Sequence, residues 1–376
     1  MNAGIDKLSP LLAPVLELAR EHAAEVDGEA RFPTEPVAAL RESGLLGLTV
    51  PAEYGGLGCG PHEFADVVSA LAAECGSTAM IYLMHVSATM PLARAAPAAM
   101  PGLLSEVAAG KVLASLALSE RGSRSHFWAP VSRAAAEGDT LRVRADKSWV
   151  TSAGHADIYV ASTLTPHGDA VDLVAIPATT PGITVSGDWR GLGLRGNASA
   201  PVTLDVELPT TARLGEAGGG FALMMEAVLP WFNLGNAAVS TGLAGAATDA
   251  ATAHATAATF QHLEQSLSAL PTIRAQLARM SIEVTGMRAM LRQTAEALAR
   301  PGEDAMLHVL GSKAAANDAA LRVTDAAMRV CGGAAFSQHL GIDRYFRDAR
   351  AGHVMAPTAD ALYDFYGKAL TGLPLF

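Results

Sequence analysis

Two imidazoles stand apart from the apolar patterns around them: His126 in "SERGSRSHFWAP" and His353 in "RDARAGHVMAPTAD". Imidazole titrates near neutrality, so either can accept or donate a proton in catalysis. The plainer alternatives are a cap on a strand end and a pairing with a neighbour. Asp360, two residues after Thr358, is a third candidate base, although a carboxylate at the start of a helix serves equally to satisfy the helix N-terminus. Trp149 in "KSWVTSAGHADIYVAS" offers a flat indole for stacking, and Thr151 beside it a hydroxyl. Both also suit ordinary places in a strand and core. Gly332-Gly333 in "VCGGAAF" lets a backbone approach a ligand closely, and it also reads as a helix stop. The three cysteines, Cys59, Cys75 and Cys331, are scattered, and no Cys-x-x-Cys or Cys/His ligand spacing appears. They are expected to be reduced, partly buried thiols of a cytoplasmic protein that holds no metal.

The elements that must position these groups fall into three textures. Leu8, Leu11, Leu12, Val15 and Leu16 recur at helical spacing, and a second apolar cluster runs from Phe64 to Leu83. The turn-rich "VPAEYGGLGCGP" interrupts them. From about residue 113 the period becomes two. Leu141, Val143 and Ala145 alternate, as do Val202, Leu204, Val206 and Leu208, which predicts half-buried strands in a small antiparallel domain over 113–212. Helical period returns after "GEAGGG". Ile273, Leu277, Met280, Val284, Met287, Leu291 and Leu298 predict one long amphipathic helix. "GSKAAANDAALRVTDAAMRVCGG" predicts another, ending at Gly332.

With 376 residues the chain is long enough for more than one domain. Half its residues are hydrophobic, yet no run of 18 lacks polar breaks, so no membrane span is expected. The N-terminus lacks the basic and apolar regions of a secretory signal. A net charge of −10 argues against an electrostatic grip on nucleic acid. Only 17% of residues are charged and alanine is abundant, which suits closely packed helices and subunit interfaces.

Six collinear stretches carry a resemblance to the acyl-CoA dehydrogenase family. "RFPTEPVAALRESGLLGLTVPAEYGGLG" resembles its N-terminal signature, and "LALSERGSRS" its flavin-contacting Thr-Glu-x-Gly-x-Gly-Ser segment. "KSWVTSAGHADIYVAS", "GLGLRGNASAPVTLDVELP", "VCGGAAF" and "RYFRDAR" follow in the family's order. The resemblance implies an α+β fold: an N-terminal helical domain (1–112), a middle antiparallel β-barrel (113–212) and a C-terminal four-helix bundle (213–376). It implies FAD, with Leu118, Ser119, Ser125, Trp149, Thr151, Gly332, Gly333 and Thr358 as its contacts. It also implies an acyl thioester substrate on CoA or a carrier protein, an electron-transfer flavoprotein or flavin reductase as redox partner, and a homodimer or homotetramer. Arg347 and Asp348 match an element read as structural.

Three departures bear on the chemistry. The family's reaction removes a proton from Cα, and the usual acceptor is a Glu one residue before Gly-Thr; the matching triplet here is Ala356-Pro357-Thr358. Some members carry the Glu on an earlier helix, before an Arg; those places read as Phe232 and Asn233, with Glu226 the nearest acid upstream. Ala258 stands where an Arg would reach the FAD diphosphate, leaving a backbone amide, His262 or Arg274 for that task. Ser125-His126 occupies the family's Ser-Asp place, which would set His126 near the flavin and substrate and make it the first candidate for the proton. Three functions stay open: an acyl-thioester dehydrogenase with a relocated base, a flavin-dependent monooxygenase that needs no α-proton abstraction, and a non-catalytic subunit of a mixed oligomer.

Overall fold

The computed structural model describes residues 3–124, 126–262 and 264–375. They form two compact units. One comprises Met1–Phe64, Met80–Arg190 and Arg195–Phe232; the other comprises Ala65–Ala79, Gly191–Leu194 and Asn233–Phe376.

In the first unit, α1 (Ala3–Glu29) buries Leu8, Leu12, Val15, Ala19, Ala23 and Val26, an unbroken three-and-four spacing, and packs on α2 (Thr34–Glu42). Next along the chain come α3 (Pro61–Glu74), which falls mostly in the second unit, α4 (Gly76–Arg94), mostly in the first, and the short α5 (Leu103–Ala108). His85 of α4 is fully buried and joins the helices to the first strand, β1 (Ala114–Ala117). Its Nδ1 accepts from the Ala114 amide at 3.0 Å, which leaves the proton on Nε2 to donate to the Leu46 carbonyl at 2.8 Å.

The strands form two sheets. β1, β4 (Ile158–Leu164) and β5 (Val171–Pro177) make one, in the order β1-β4-β5. β2 (Ala135–Glu137), β3 (Thr140–Val150), β7 (Ala200–Pro209) and β6 (Ile183–Val185) make the other, in the order β2-β3-β7-β6. Alternation along β3 and β7 sends Leu141, Val143, Val202, Leu204 and Val206 into one core with Tyr159, Val174 and Ile176 of the first sheet. The expected middle antiparallel β-barrel is thus two packed sheets that do not close. β1 pairs with β4 in parallel, and among the described residues no continuous ladder joins the two sheets, which are linked by isolated bridges such as Glu120–Lys147 and Arg133–Leu164. A barrel needs an unbroken ladder around its whole circumference. Here the chain leaves β1 into the turn after Glu120 before a ladder to β3 can extend.

Beyond β7 a short α6 (Gly220–Leu223) and a π-turn over Met224–Val228 lead into α7 (Leu229–Ala257). A two-residue hairpin pair, β8 (Thr259–Phe260) and β9 (Gln265–Ser266), precedes α8 (Pro271–Ala299). α8 buries Met280, Val284, Met287 and Leu291, as its period predicts. α9 (Ala305–Cys331) is the axis of the second unit and packs against α8, α11 (Ile342–Val354) and α12 (Ala359–Thr371). The short α10 (Gly333–Phe336) begins where Gly332 ends α9. α7 meets α9 through Ser240 Oγ, which donates to Asn317 Oδ1 at 2.7 Å. Among the described residues no helix is long and apolar enough to cross a membrane.

His85 makes stability depend on pH. Burial lowers its pKa from 6.5 to about 4, so the unfolded chain takes up a proton that the folded chain refuses. Its contribution is complete above pH 6.5 and is lost as pH falls towards 4, to a limit of about 3 kcal/mol. Denaturant midpoints measured from pH 7 to pH 4 should fall less steeply for His85→Gln than for the natural chain.

Candidate active site

In the first unit, the segment after β1 lies against the end of β3. The Ser119 carbonyl accepts from the Ser148 amide at 2.8 Å, and the Leu118 carbonyl accepts from Ser162 Oγ at 3.3 Å. Leu118 is buried and Ser119 half-buried. Between Ser119 and Trp149 sits a buried ion pair: Lys147 Nζ donates to Glu120 Oε1 at 2.6 Å. Glu120 also accepts from the Val131 and Ser132 amides and the Ser132 hydroxyl, at 2.6–2.8 Å. Burial by itself raises the Glu120 carboxyl; the Lys147 charge and these donors outweigh it and hold the group below its ordinary range.

Two residues past Lys147 the pairing of β3 with β7 slips between Lys147 and Val150. This bulge puts Trp149 at φ +57° and turns its indole outward, 65% exposed. The indole meets Trp189 edge to face, with ring centroids 5.9 Å apart. Thr151 turns the other way. It is buried, its hydroxyl is shared with Ser199 Oγ at 3.0 Å, and its carbonyl accepts from Ser115 Oγ at 2.6 Å. Asn197, also buried, has neither amide atom hydrogen-bonded among the described residues. His126 is exposed and its ring stacks on Trp128 at 5.0 Å. Ser125 lies outside the described residues.

In the second unit, Gly332 adopts φ +55° and ψ −130°, a conformation open in practice only to glycine. No atom lies within 4 Å of a Cβ built on Gly332 or Gly333. His353, in the last turn of α11, places Nδ1 3.2 Å from Asp318 Oδ1, and Tyr363 donates to the other oxygen of Asp318 at 2.7 Å. Thr358 caps α12, its hydroxyl accepting from the Ala361 amide at 3.4 Å. Asp360 is exposed in the first turn of the same helix. Asp348 is buried and accepts from the Leu194 amide at 2.6 Å, while Arg347 pairs with Asp343 at 2.9 Å, so this pair ties segments of the unit together. Phe232 is buried, Glu226 exposed, and Arg274 is engaged by the carbonyls of Ser268 and Ala269. His262 lies edge-on to Phe260. Among the described residues no cluster of three or more His, Cys, Asp or Glu is placed to hold a metal ion.

Sequence reasoning missed Lys313. It is fully buried in α9, and its Nζ donates to the carbonyls of Gly352, Met355 and Pro357 at 3.4, 3.0 and 2.6 Å. Asn317, one turn later, donates to the Gly352 carbonyl at 2.8 Å. Together they hold the end of α11 and the turn that carries Ala356. The signal was present: Lys313 stands on the same stripe as the buried Val309, Ala316 and Ala320. Trp189 was also missed, because it sits in a turn with no period to mark it.

These features belong to a chain matched along most of its length. The family descriptions "Acyl-CoA dehydrogenase, N-terminal domain", "middle domain" and "C-terminal domain" match residues 15–110, 115–206 and 218–370. A protein of Mycobacterium bovis, named probable acyl-CoA dehydrogenase fadE25, is 30% identical over 334 residues, covering 88% of this chain and 85% of that one. The solved structure described as PigA with FAD and proline superposes with a TM-score of 0.91 at 20% identity, covering 99% of this chain and 98% of that one. The prolyl acyl carrier protein oxidase AnaB superposes at 0.88 and 20% identity, covering 98% of this chain and 99% of that one. The chain belongs to the acyl-CoA dehydrogenase family, which comprises FAD-dependent oxidoreductases acting on CH–CH groups.

Lys313 supplies a second pH dependence, of opposite range to that of His85. Burial draws its pKa from 10.5 down to about 7, although three carbonyls match the three protons of the ammonium form. The unfolded chain therefore binds the proton more tightly, and stability rises as pH climbs from about 7 towards 10.5. Unfolding measured across that window should show this rise in the natural chain and a flatter profile in Lys313→Met.

Proposed function

We propose that this protein is an FAD-dependent oxidoreductase of the acyl-CoA dehydrogenase type, acting on an acyl thioester carried by CoA or a carrier protein. Its proton acceptor is relocated away from position 356. The observation that carries the proposal is Trp149, a strained and exposed indole set on a bulge at the place where the family's flavin-facing tryptophan falls. The chain's residues fit a flavin in other respects. The space at Gly332 and Gly333 is open to a close approach, and Asn197 keeps a buried amide without a hydrogen-bond partner among the described residues. By the resemblance, Leu118, Ser119, Ser125, Trp149, Thr151, Gly332, Gly333 and Thr358 are the candidate contacts of the cofactor, with Trp149 against the ring. When bound, the flavin accepts the hydride from the substrate.

The proton requires a group of this chain. Ala356 and Phe232 cannot take it, and Asp360 is exposed at a helix start, where it favours the helix dipole. His353 lies beside Asp318, with Nδ1 3.2 Å from a carboxylate oxygen. His126 is exposed on the segment that follows Glu120, and we assign it the acid–base or orienting role. The three-part division at 112 and 212, a cytoplasmic homodimer or homotetramer, and exchange of electrons with an electron-transfer flavoprotein or a flavin reductase complete the proposal.

The apolar residues at both carboxylate positions favour a second possibility, a flavin-dependent monooxygenase, which abstracts no α-proton. The purified protein separates the two. A flavin absorbance band that bleaches with an acyl thioester under nitrogen supports the dehydrogenase; turnover only with reduced flavin and oxygen supports the monooxygenase; failure to bind FAD at tens of micromolar refutes both and leaves a non-catalytic subunit. In the first case, His126→Gln should lower turnover by about 100-fold to 10,000-fold and remove an ionisation from the pH profile. Turnover within about threefold of the natural chain would shift the assignment to His353.

A further inference from the structure

A bulky residue in the left-handed region is rare, and it persists only where its surroundings fix it. Trp149 has that conformation, and its neighbours account for it. Lys147 is anchored by Glu120 at 2.6 Å and by the Ser162 carbonyl at 2.6 Å, and Val150 is buried and paired with Ala200. The bulge between these two fixed points forces the intervening backbone outward. A strained backbone that presents a large apolar side chain to solvent is the opposite of what packing favours, and such outliers concentrate where a ligand is bound.

The bulge sets the direction of Trp149 but not the rotation of its ring. Trp189 does that. It comes from the turn after β6, is half-buried, and meets Trp149 at an interplanar angle of 74°. An edge-to-face contact restrains an indole from one side only. Whichever ring supplies the edge, one face of Trp149 stays uncovered, in keeping with its 65% exposure. A free, restrained aromatic face suits a flat conjugated partner. Restraint before binding also removes an ordering cost from the binding step.

We infer that Trp189 is a positioning residue: it fixes the Trp149 indole as a preformed stacking platform for the isoalloxazine ring of the flavin. The inference rests on the proposal that this chain binds FAD, and Trp189 itself acts through Trp149.

The test is a double-mutant cycle on FAD binding to the full-length apoprotein, with Trp189→Ala, Trp149→Ala and the double variant, and Trp189→Phe as the conservative replacement. Affinity is read by titration, and the position of the visible flavin band gives a second signal independent of turnover. Trp189→Ala should weaken FAD binding by about 2-fold to 10-fold, the range for an aromatic pair, and should shift the band. Trp189→Phe should restore much of both. In the Trp149→Ala background, Trp189→Ala should have no further effect. Normal affinity and an unmoved band in Trp189→Ala would overturn the inference while leaving the proposed function intact. So would losses that simply add in the double variant. If the natural chain itself fails to bind FAD, the proposed function falls and the inference falls with it.

Discussion

The β-domain depends on one buried ion pair, Glu120 with Lys147. Two open sheets packed face to face have nothing in their ladders to fix one against the other. Lys147 lies on β3 in the four-stranded sheet, and its ammonium also donates to the Ser162 carbonyl on β4 in the three-stranded sheet. Glu120 reaches the chain at Val131 and Ser132. One side-chain pair thus ties both sheets and the excursion between them. Taking two charges out of water is costly, and the attraction repays it only when every donor and acceptor is served. Here the carboxylate has four donors and the ammonium has two oxygens at 2.6 Å. Loss of one partner would leave a buried charge alone, at a cost of about 3–5 kcal/mol. The geometry that follows from the pair is what matters for function. Ser119 and Trp149 flank it, so it sets the segment after β1 against the bulge.

The second unit repeats the device with a different acceptor. Lys313 donates to the carbonyl of Gly352, near the end of α11 where the helix dipole is negative, and to those of Met355 and Pro357 just beyond it. Asn317 adds a donor to the Gly352 carbonyl, and a Cβ at Gly352 would come within 2.5 Å of Asn317 Oδ1, so the contact tolerates no side chain there. Every one of these bonds is made to backbone. The turn over Met355–Thr358 is therefore held without help from the side chain at 356.

Most of the helices and the principal strands were legible in the sequence because their periods are clean. α8 appears in the spacing from Ile273 to Leu298, the stop of α9 in Gly332, and β3 and β7 in strict alternation. The sheet arrangement was not legible. β4 and β5 are buried on both faces, so "IYVASTL" and "VDLVAIP" show no alternation to report their partners, and the parallel pairing of β1 with β4 leaves no local trace. Trp149 was recognisable by type and motif, but its strain comes from the slip against β7, a relation between residues some fifty positions apart. Lys313 was visible as a charge on an apolar stripe; what it serves could not be read, since its acceptors are carbonyls, which carry no residue identity.

The two histidines differ in a way that bears on proton transfer. His353 stands beside Asp318, whose second oxygen is taken by Tyr363, and burial together with Asp318 lifts the Tyr363 phenol to about 12. That arrangement sets a carboxylate oxygen 3.2 Å from one imidazole nitrogen, at the end of α11. His126 stacks on Trp128 with ring centroids 5.0 Å apart, a contact that restrains the ring plane. The same kind of contact recurs at Trp149, where the bulge sets the direction of the indole and Trp189 meets it edge to face.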